Sequence, residues 1–362
     1  MRVWIIAFAL LPILGTAYVM WRVGQLLPMG TLAKTIVLVM MAVATALFFV
    51  ALAAPIDKLP FASAAVIYEV GTSWIFILLY LVMTLLVVDV TRVLHVVPKE
   101  WFTKSAVGSV ALLFWMVAIF GWANHHYRNK VRQPLTLKTE KSEIEELKIV
   151  MMSDLHLGYT NRKAEFNRWI DLVNAEHPDL ILIGGDIIDG SIRAIRHQQM
   201  ADDFKRLCAP VYACLGNHEY YAGVADAEQF YREAGICLLK DEVAVVKGIQ
   251  IIGRDDRTNP RRKSLEALMS KADKALFTIL LDHQPYHLEQ AEAADIDFQL
   301  SGHTHYGQVW PINWIEDAIY EDAFGPLQKG RTQYYVTSGI GIWGGKFRMG
   351  TRSEYLVVTV KP

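Results

Sequence analysis

Apolar positions follow two regimes along this chain. Up to about residue 124 they form long, nearly unbroken blocks: Met1 to Trp21, Thr35 to Ala54, Trp74 to Val88 with shoulders from Val70 to Val97, and Ala106 to Ala123. Each approaches the roughly 20 residues needed to cross a hydrocarbon core. Trp21, Trp74, Trp101 and Trp122 lie near block ends, where interfacial aromatics belong. The first block competes with a signal peptide, but its charged start is very short and further spans follow. Residues 1–124 therefore predict a transmembrane region of four helices.

After residue 146 the apolar runs become short. Leu147–Met152, Leu180–Ile183, Val211–Leu215, Ile236–Leu239, Val243–Val246, Ile249–Ile252, Phe277–Leu281, Ile296–Leu300, Tyr334–Gly339 and Tyr355–Val360 predict buried strands. Between them lie helical patterns over Ala164–Glu176, Arg193–Leu207, Ala225–Ala234 and Ser264–Ser270. Strand, helix, strand at this spacing makes βαβ units, normally right-handed and parallel. The stretch from His125 to Glu146 is polar, basic and then acidic, with Pro134, and reads as a juxtamembrane linker. Residues 147–362 then form a separate α/β domain.

Charge sharpens this division. Only four acids (Asp57, Glu69, Asp89, Glu100) and seven Lys or Arg precede residue 125, although the 362-residue chain holds 37 acids and 36 Lys plus Arg. Asp89 stands one turn before Arg92, which offers it an ion pair. Arg2, Lys58, Arg128, Lys130 and Arg132 fall on one side of a four-span layout; Arg22, Lys34, Arg92, Lys99 and Lys104 fall on the other. The positive-inside rule thus selects neither side. A formal net charge of −1 gives no argument for nucleic acid as a partner. Three cysteines do not make a disulfide framework; Cys208 and Cys214 are either a pair or buried free thiols.

The candidate chemistry sits where strands end. Leu147–Met152 runs into Asp154 and His156, which an extended backbone would send to one side. Leu180–Ile183 runs into Gly184-Gly185-Asp186, with Asp189 close behind. Val211–Leu215 runs into Gly216-Asn217-His218-Glu219. Phe277–Leu281 leads to His283, and Ile296–Leu300 to Gly302-His303-Thr304-His305. Ligands of open α/β sheets bind at the carboxyl ends of strands. Two carboxylates brought together need a cation between them or a shared proton. Seven oxygen and nitrogen donors without thiolate suit two divalent ions such as Mn, Fe or Zn.

These motifs, D-x-H, G-D-x-x-D, G-N-H-E, a later lone His and G-H-T-H, occur in one order over about residues 147–360. They closely resemble the calcineurin-like metallophosphoesterase family, and with the apolar N-terminal region its membrane-associated YaeI/YkuE-type branch. Tyr306 stands where that branch usually has Gly. The resemblance implies a four-layer α/β/β/α sandwich of two mixed sheets flanked by helices. It implies one ion held by Asp154, His156, Asp186 and His305, and another held by Asp186, Asn217, His283 and His303. His218 would be the catalytic acid beside them, paired with Asp189 or another acid.

The implied activity is hydrolysis of a phosphoester or pyrophosphate by metal-activated hydroxide. Four spans, and the aromatic stretches at Trp310, Ile312, Trp314, Trp343 and Phe347, make a lipid-linked phosphate ester at a multi-pass cell-membrane protein the leading substrate expectation. The basic loop from Arg257 to Lys263 is a candidate border for a phosphate-bearing substrate. A phosphoprotein phosphatase, and a non-enzymatic membrane sensor or scaffold with a structural metal site, are the alternatives.

Overall fold

A computed structural model describes residues 2–141 and 145–362. The chain divides into two compact units: 1–125 with Gly344–Lys346, and 126–343 with 347–362.

The first unit carries four long helices: α1 (Arg2–Leu26), α2 (Thr31–Ala53), α3 (Phe61–Val93) and α4 (Ala106–Arg128). Among the described residues, α2, α3 and α4 are long and apolar enough to cross a membrane. The first expected span falls on α1; Met1 lies outside the described residues. Large apolar side chains point outward, with Leu32, Val107 and Phe114 more than 70% exposed. Such an outward apolar surface suits hydrocarbon rather than water. Polar groups inside find one another: Thr16 and Thr45 hydroxyls lie 2.7 Å apart, and the Trp74 indole donates to Thr45 at 2.7 Å. Asp89 accepts from Arg22 at 2.7 Å, from Arg92 at 3.2 Å and from the Tyr18 hydroxyl at 2.7 Å.

Among the described residues, the second unit is built on twelve strands in two six-stranded mixed sheets. They are β1 (Lys130–Lys138), β2 (Leu147–Met152), β3 (Leu180–Ile183), β4 (Val211–Ala213), β5 (Cys237–Leu238), β6 (Glu242–Val246), β7 (Ile249–Gly253), β8 (Thr278–Leu281), β9 (Phe298–Ser301), β10 (Gly325–Lys329), β11 (Thr332–Val336) and β12 (Ser353–Lys361). One sheet runs β1-β12-β2-β3-β4-β5 and the other β10-β11-β9-β8-β7-β6. Strands β2 to β5 are mutually parallel, as are β7, β8, β9 and β11.

Side chains alternate between the two faces of a strand, and this sets the layers. On β2, Ile149 and Met151 join Ile279, Leu281, Phe298 and Leu300 of the other sheet in the inter-sheet core. Val150 and Met152 face outward onto helix α5 (Lys163–Ala175), through Phe166, Trp169 and Ile170. The outer face of the second sheet is covered by α10 (Leu265–Met269) and α11 (Leu288–Ala293). Helix, sheet, sheet and helix layers are thus present, as expected.

Two local expectations change, and one crossover appears. The stretch read as a linker contains β1, a parallel edge strand paired with β12 from Lys130↔Ser353 to Lys138↔Lys361; Ser142 to Ile144 lie outside the described residues. The single helix expected over Arg193–Leu207 breaks at Gln199, whose φ of 54° is left-handed, giving α6 (Ile192–His197) and α7 (Met200–Phe204). The strands on either side of Lys240-Asp241 belong to different sheets, so the chain crosses between layers there. Cys208, Cys214 and Cys237 are free thiols.

Candidate metal centre

The carboxyl ends of β2, β3 and β4 in one sheet and of β8 and β9 in the other deliver the polar residues named above. The backbone does not stay extended to do so. Asp154, His156, Asp186, His303 and His305 all have positive φ, between 44° and 72°. L-residues adopt this region uncommonly, at about 1–3 kcal/mol each, and it persists where surroundings over-determine it. Asp154 and His156 still converge, but through two left-handed turns rather than the expected extended geometry.

Two groups result. Asp154, His156 and His305 form one; Asp186, His283 and His303 form the other, with ligand-type atoms inside each within 4.8 Å of one another. In the first, His156 Nε2 and His305 Nε2 are 3.0 Å apart, and His305 Nε2 is 3.5 Å from Asp154 Oδ1. Two nitrogens each about 2.1 Å from one ion at a right-angle spread would be about 3 Å apart. Asp186 joins the groups: its Oδ2 lies 3.6 Å from His156 Nε2 and 3.2 Å from His283 Nε2.

Unanswered buried atoms show what the centre fits. Asn217 Oδ1 and His283 Nε2 are buried without a hydrogen-bond partner. Buried polar atoms are ordinarily paired. His283 Nδ1 is already committed to the Gly184 carbonyl at 2.7 Å, which fixes the ring and turns Nε2 toward Asp186. This is how a ligating histidine is normally held. The donor set therefore fits divalent cations; the two groups hold six of the seven candidate ligands, and Asn217 precedes His218, whose backbone N–H donates to Asp186 at 2.9 Å.

His218 lies next to the groups, its ring 4.5 Å from that of His156 and edge-on. Its Nδ1 is 3.4 Å from Asp189 Oδ1, and His156 Nδ1 is 3.7 Å from the same oxygen. Asp189 thus backs two imidazoles. Burial pushes its carboxyl up, but the two histidines outweigh this and hold it at about 2. Burial pushes His218 down, yet the Asp186 and Asp189 charges overcome it and raise the imidazolium to about 9. A cation on Asp186 would cancel part of that field. Burial pulls His303 down to about 4, with the charge of His283 acting the same way. A neutral imidazole is the ligating form.

Three supporting residues were not singled out from the sequence. Glu219, fully buried, accepts from the backbone N–H groups of Gly216 at 2.7 Å, Asp186 at 3.1 Å, Ile187 at 2.8 Å and Ile188 at 3.0 Å. It ties the β3 loop to the β4 loop; its place in G-N-H-E was the available signal. Asn161 donates to the carbonyls of Leu155, His156 and Ile342. Arg348, also fully buried, donates to the carbonyls of His305 at 2.7 Å and Gly341 at 2.8 Å, and to that of Ser338. Gly341 in turn donates to Asp154 O at 3.1 Å. One guanidinium therefore braces His305 and Asp154 together. Gly302 is required here, because a Cβ would run into Asp154 Oδ2.

Tyr306 directly follows His305. Its ring stacks on Phe324 at 5.0 Å and 20°, and its hydroxyl donates to Asp317 at 3.3 Å. Trp310 and Trp314 are exposed and meet edge to face at 5.3 Å, whereas Ile312, Trp343 and Phe347 are half-buried.

Residues 147–307 match the calcineurin-like phosphoesterase family. A metallophosphoesterase of Helicobacter pylori is 31% identical over 223 residues, covering 60% of this chain and 60% of that protein. A Danio rerio transmembrane protein with a metallophosphoesterase domain is 30% identical over 277 residues, covering 68% of this chain and 60% of its own length. The metallophosphoesterase YkuE of Bacillus subtilis is 30% identical over 230 residues, covering 59% of this chain and 79% of its own length. The match thus spans about three fifths of the length of the first two. With the strand-end motifs, the two-sheet fold and these likenesses in agreement, the chain belongs to the calcineurin-like metallophosphoesterase family.

Proposed function

We propose that this protein is a membrane-anchored phosphoesterase that works with two divalent ions, one held by Asp154, His156, Asp186 and His305 and the other by Asp186, Asn217, His283 and His303. The observation that carries this reading is Asp186 Oδ2, which lies within 3.6 Å of His156 and 3.2 Å of His283 and so joins the two groups. When bound, such ions supply Lewis-acid stabilisation of phosphoryl charge and lower the pKa of water. The chain's own groups do the rest. Asp189 holds His218 through Nδ1, which leaves Nε2–H to deliver a proton to the departing alkoxide. Arg348 and Glu219 keep the ligand loops from relaxing away from this geometry.

The substrate is a phosphoester or pyrophosphate, and a lipid-linked one fits best. Helices α2, α3 and α4 support a multi-pass protein of the cell membrane. Trp310 and Trp314, with Ile315 and Ile319 on helix α12 (Asn313–Ile319), give the second unit an exposed apolar edge shortly after the His303/His305 loop. Hydrolysis of bis-p-nitrophenyl phosphate by the full chain with Mn, Fe or Zn supplied separately tests the reaction class. Metal-independent turnover, or none with any ion, would remove it. Equal turnover of soluble and micellar phosphoesters would remove the lipid preference alone.

A further inference from the structure

The loop from Arg254 to Lys263 is fixed by an unusual number of side-chain tethers, and they lead back to the metal centre. Arg254 and Arg262 both donate to Asp282, at 2.9 and 3.0 Å. Asp255, buried, accepts from the Tyr220 hydroxyl at 2.7 Å and from Asn259 at 2.8 Å. Asp256, also buried, accepts from Gln284 at 2.9 Å. Asp241 accepts from the N–H groups of Asp255 at 2.9 Å and Lys263 at 2.7 Å. Tyr220 lies two residues after His218, and Gln284 directly follows His283. The loop is therefore wired to both the β4 and the β8 ligand segments.

What this scaffold presents is Arg257. Its neighbours Arg254 and Arg262 are consumed by Asp282, but the Arg257 guanidinium makes no hydrogen bond or ion pair among the described residues. Instead it lies over the ring of Tyr286, 3.8 Å from the centroid. Tyr286 packs on Tyr320 at 4.7 Å, and Tyr320 lies 6.3 Å from the ring of His303. A cation stacked on an aromatic face is held in place with its N–H edge still available. A guanidinium offers that edge as a fork suited to carboxylate or phosphate.

We propose that Arg257, with Tyr286 and Tyr320 beneath it, is a second anion subsite on the His303 side of the metal centre. It takes a phosphate or carboxylate carried at the far end of the substrate, while the scissile phosphate occupies the metal pair. The substrate class is thus narrowed from any phosphoester to one bearing a second anionic group beyond the bond that is cut. This assignment rests on the phosphoesterase reading for the placement of the scissile group. The second anion belongs either to a soluble metabolite or to a lipid headgroup.

Four probes separate these cases. Glycerophosphoserine and glycerophosphoethanolamine differ by one distal carboxylate and carry no acyl chain. Dihexanoyl phosphatidylserine and dihexanoyl phosphatidylethanolamine repeat the pair on a lipid. Binding is read by titration calorimetry on the full chain, Mn-loaded, in nanodiscs. In at least one pair the serine probe should bind more tightly. Arg257→Ala should weaken that serine probe about tenfold, the low end for hydrogen bonds to a charged group, and leave its ethanolamine partner unchanged. Arg257→Lys should recover part of the loss. The pair that responds names the source. Equal weakening of serine and ethanolamine probes, or no change in either pair, would overturn the subsite. Bis-p-nitrophenyl phosphate hydrolysis by the same preparation reports separately on the phosphoesterase reading.

Discussion

Both units of this protein bury charged groups, and they treat them in opposite ways. In the helical unit, Asp89 is answered by Arg22, Arg92 and Tyr18, all within 3.2 Å. In the phosphoesterase unit, Asp154 and Asp186 are buried among imidazoles, and His283 Nε2 and Asn217 Oδ1 are buried there without a hydrogen-bond partner. A carboxylate answered by its own cations holds a fold together, although Arg22 Nε and Arg92 Nε beside it stay unpaired. A cluster that leaves donor atoms convergent and unpaired is shaped for something else to enter, because an unanswered buried polar group is costly. Burial raises the Asp154 carboxyl, with the Asp186 charge adding to it, whereas Asp186 is held well below the usual carboxylate range, its burial outweighed by His283 and His218. We infer that the cluster around Asp186, not the one around Asp89, is the functional one.

Substitutions in the two clusters should separate cleanly. Asp186→Asn removes the group common to both proposed ion sites and should lower phosphoester hydrolysis by roughly 10³-fold or more, the scale of losing metal activation. A loss below tenfold would contradict its joining role. His218→Asn should cost roughly 10²–10⁴ in turnover, the usual worth of general acid–base catalysis, while metal content stays at the wild-type value. Retained turnover in that variant would take His218 out of the mechanism. Arg348→Met should weaken metal affinity roughly 10–100-fold, as loss of a ligand-supporting group does, and Arg348→Lys should restore part of it. Titrations with Mn check this, and unaltered affinity would make Arg348 a packing residue only. The smallest effect on chemistry is expected from Asp89→Asn. It strands Arg22 in the helical unit and should lower the thermal midpoint of that unit in detergent by several degrees. Its metal content should not change; a change would erase the contrast between the clusters.

The candidate ligands were legible because each follows an apolar strand, and a polar residue at such a position has few structural reasons to be there. Asp154, His156, Asp186, Asn217, His283, His303 and His305 could be named from order and spacing. Their backbone could not. Positive φ at Asp154 and His156 is imposed by contacts from Gly185, Asp186 and Gly341 that are distant in sequence. Arg348 was invisible for a similar reason: its partners are main-chain carbonyls, which no residue type announces. β1 was read as a linker because it is an edge strand. It pairs on one side only, its side chains are largely polar, and it tolerates Pro134, as an edge strand can. Glu219 was in plain view in G-N-H-E, but its four backbone donors appear only once the β3 and β4 loops are adjacent.

We propose that two ions share Asp186. The sharpest test is metal stoichiometry by elemental analysis of the full chain purified with Mn, compared with Asp186→Asn prepared identically. Two ions per wild-type chain and a clear loss in the variant are expected. A single ion in the wild type, or full occupancy retained in Asp186→Asn, would overturn this sharing.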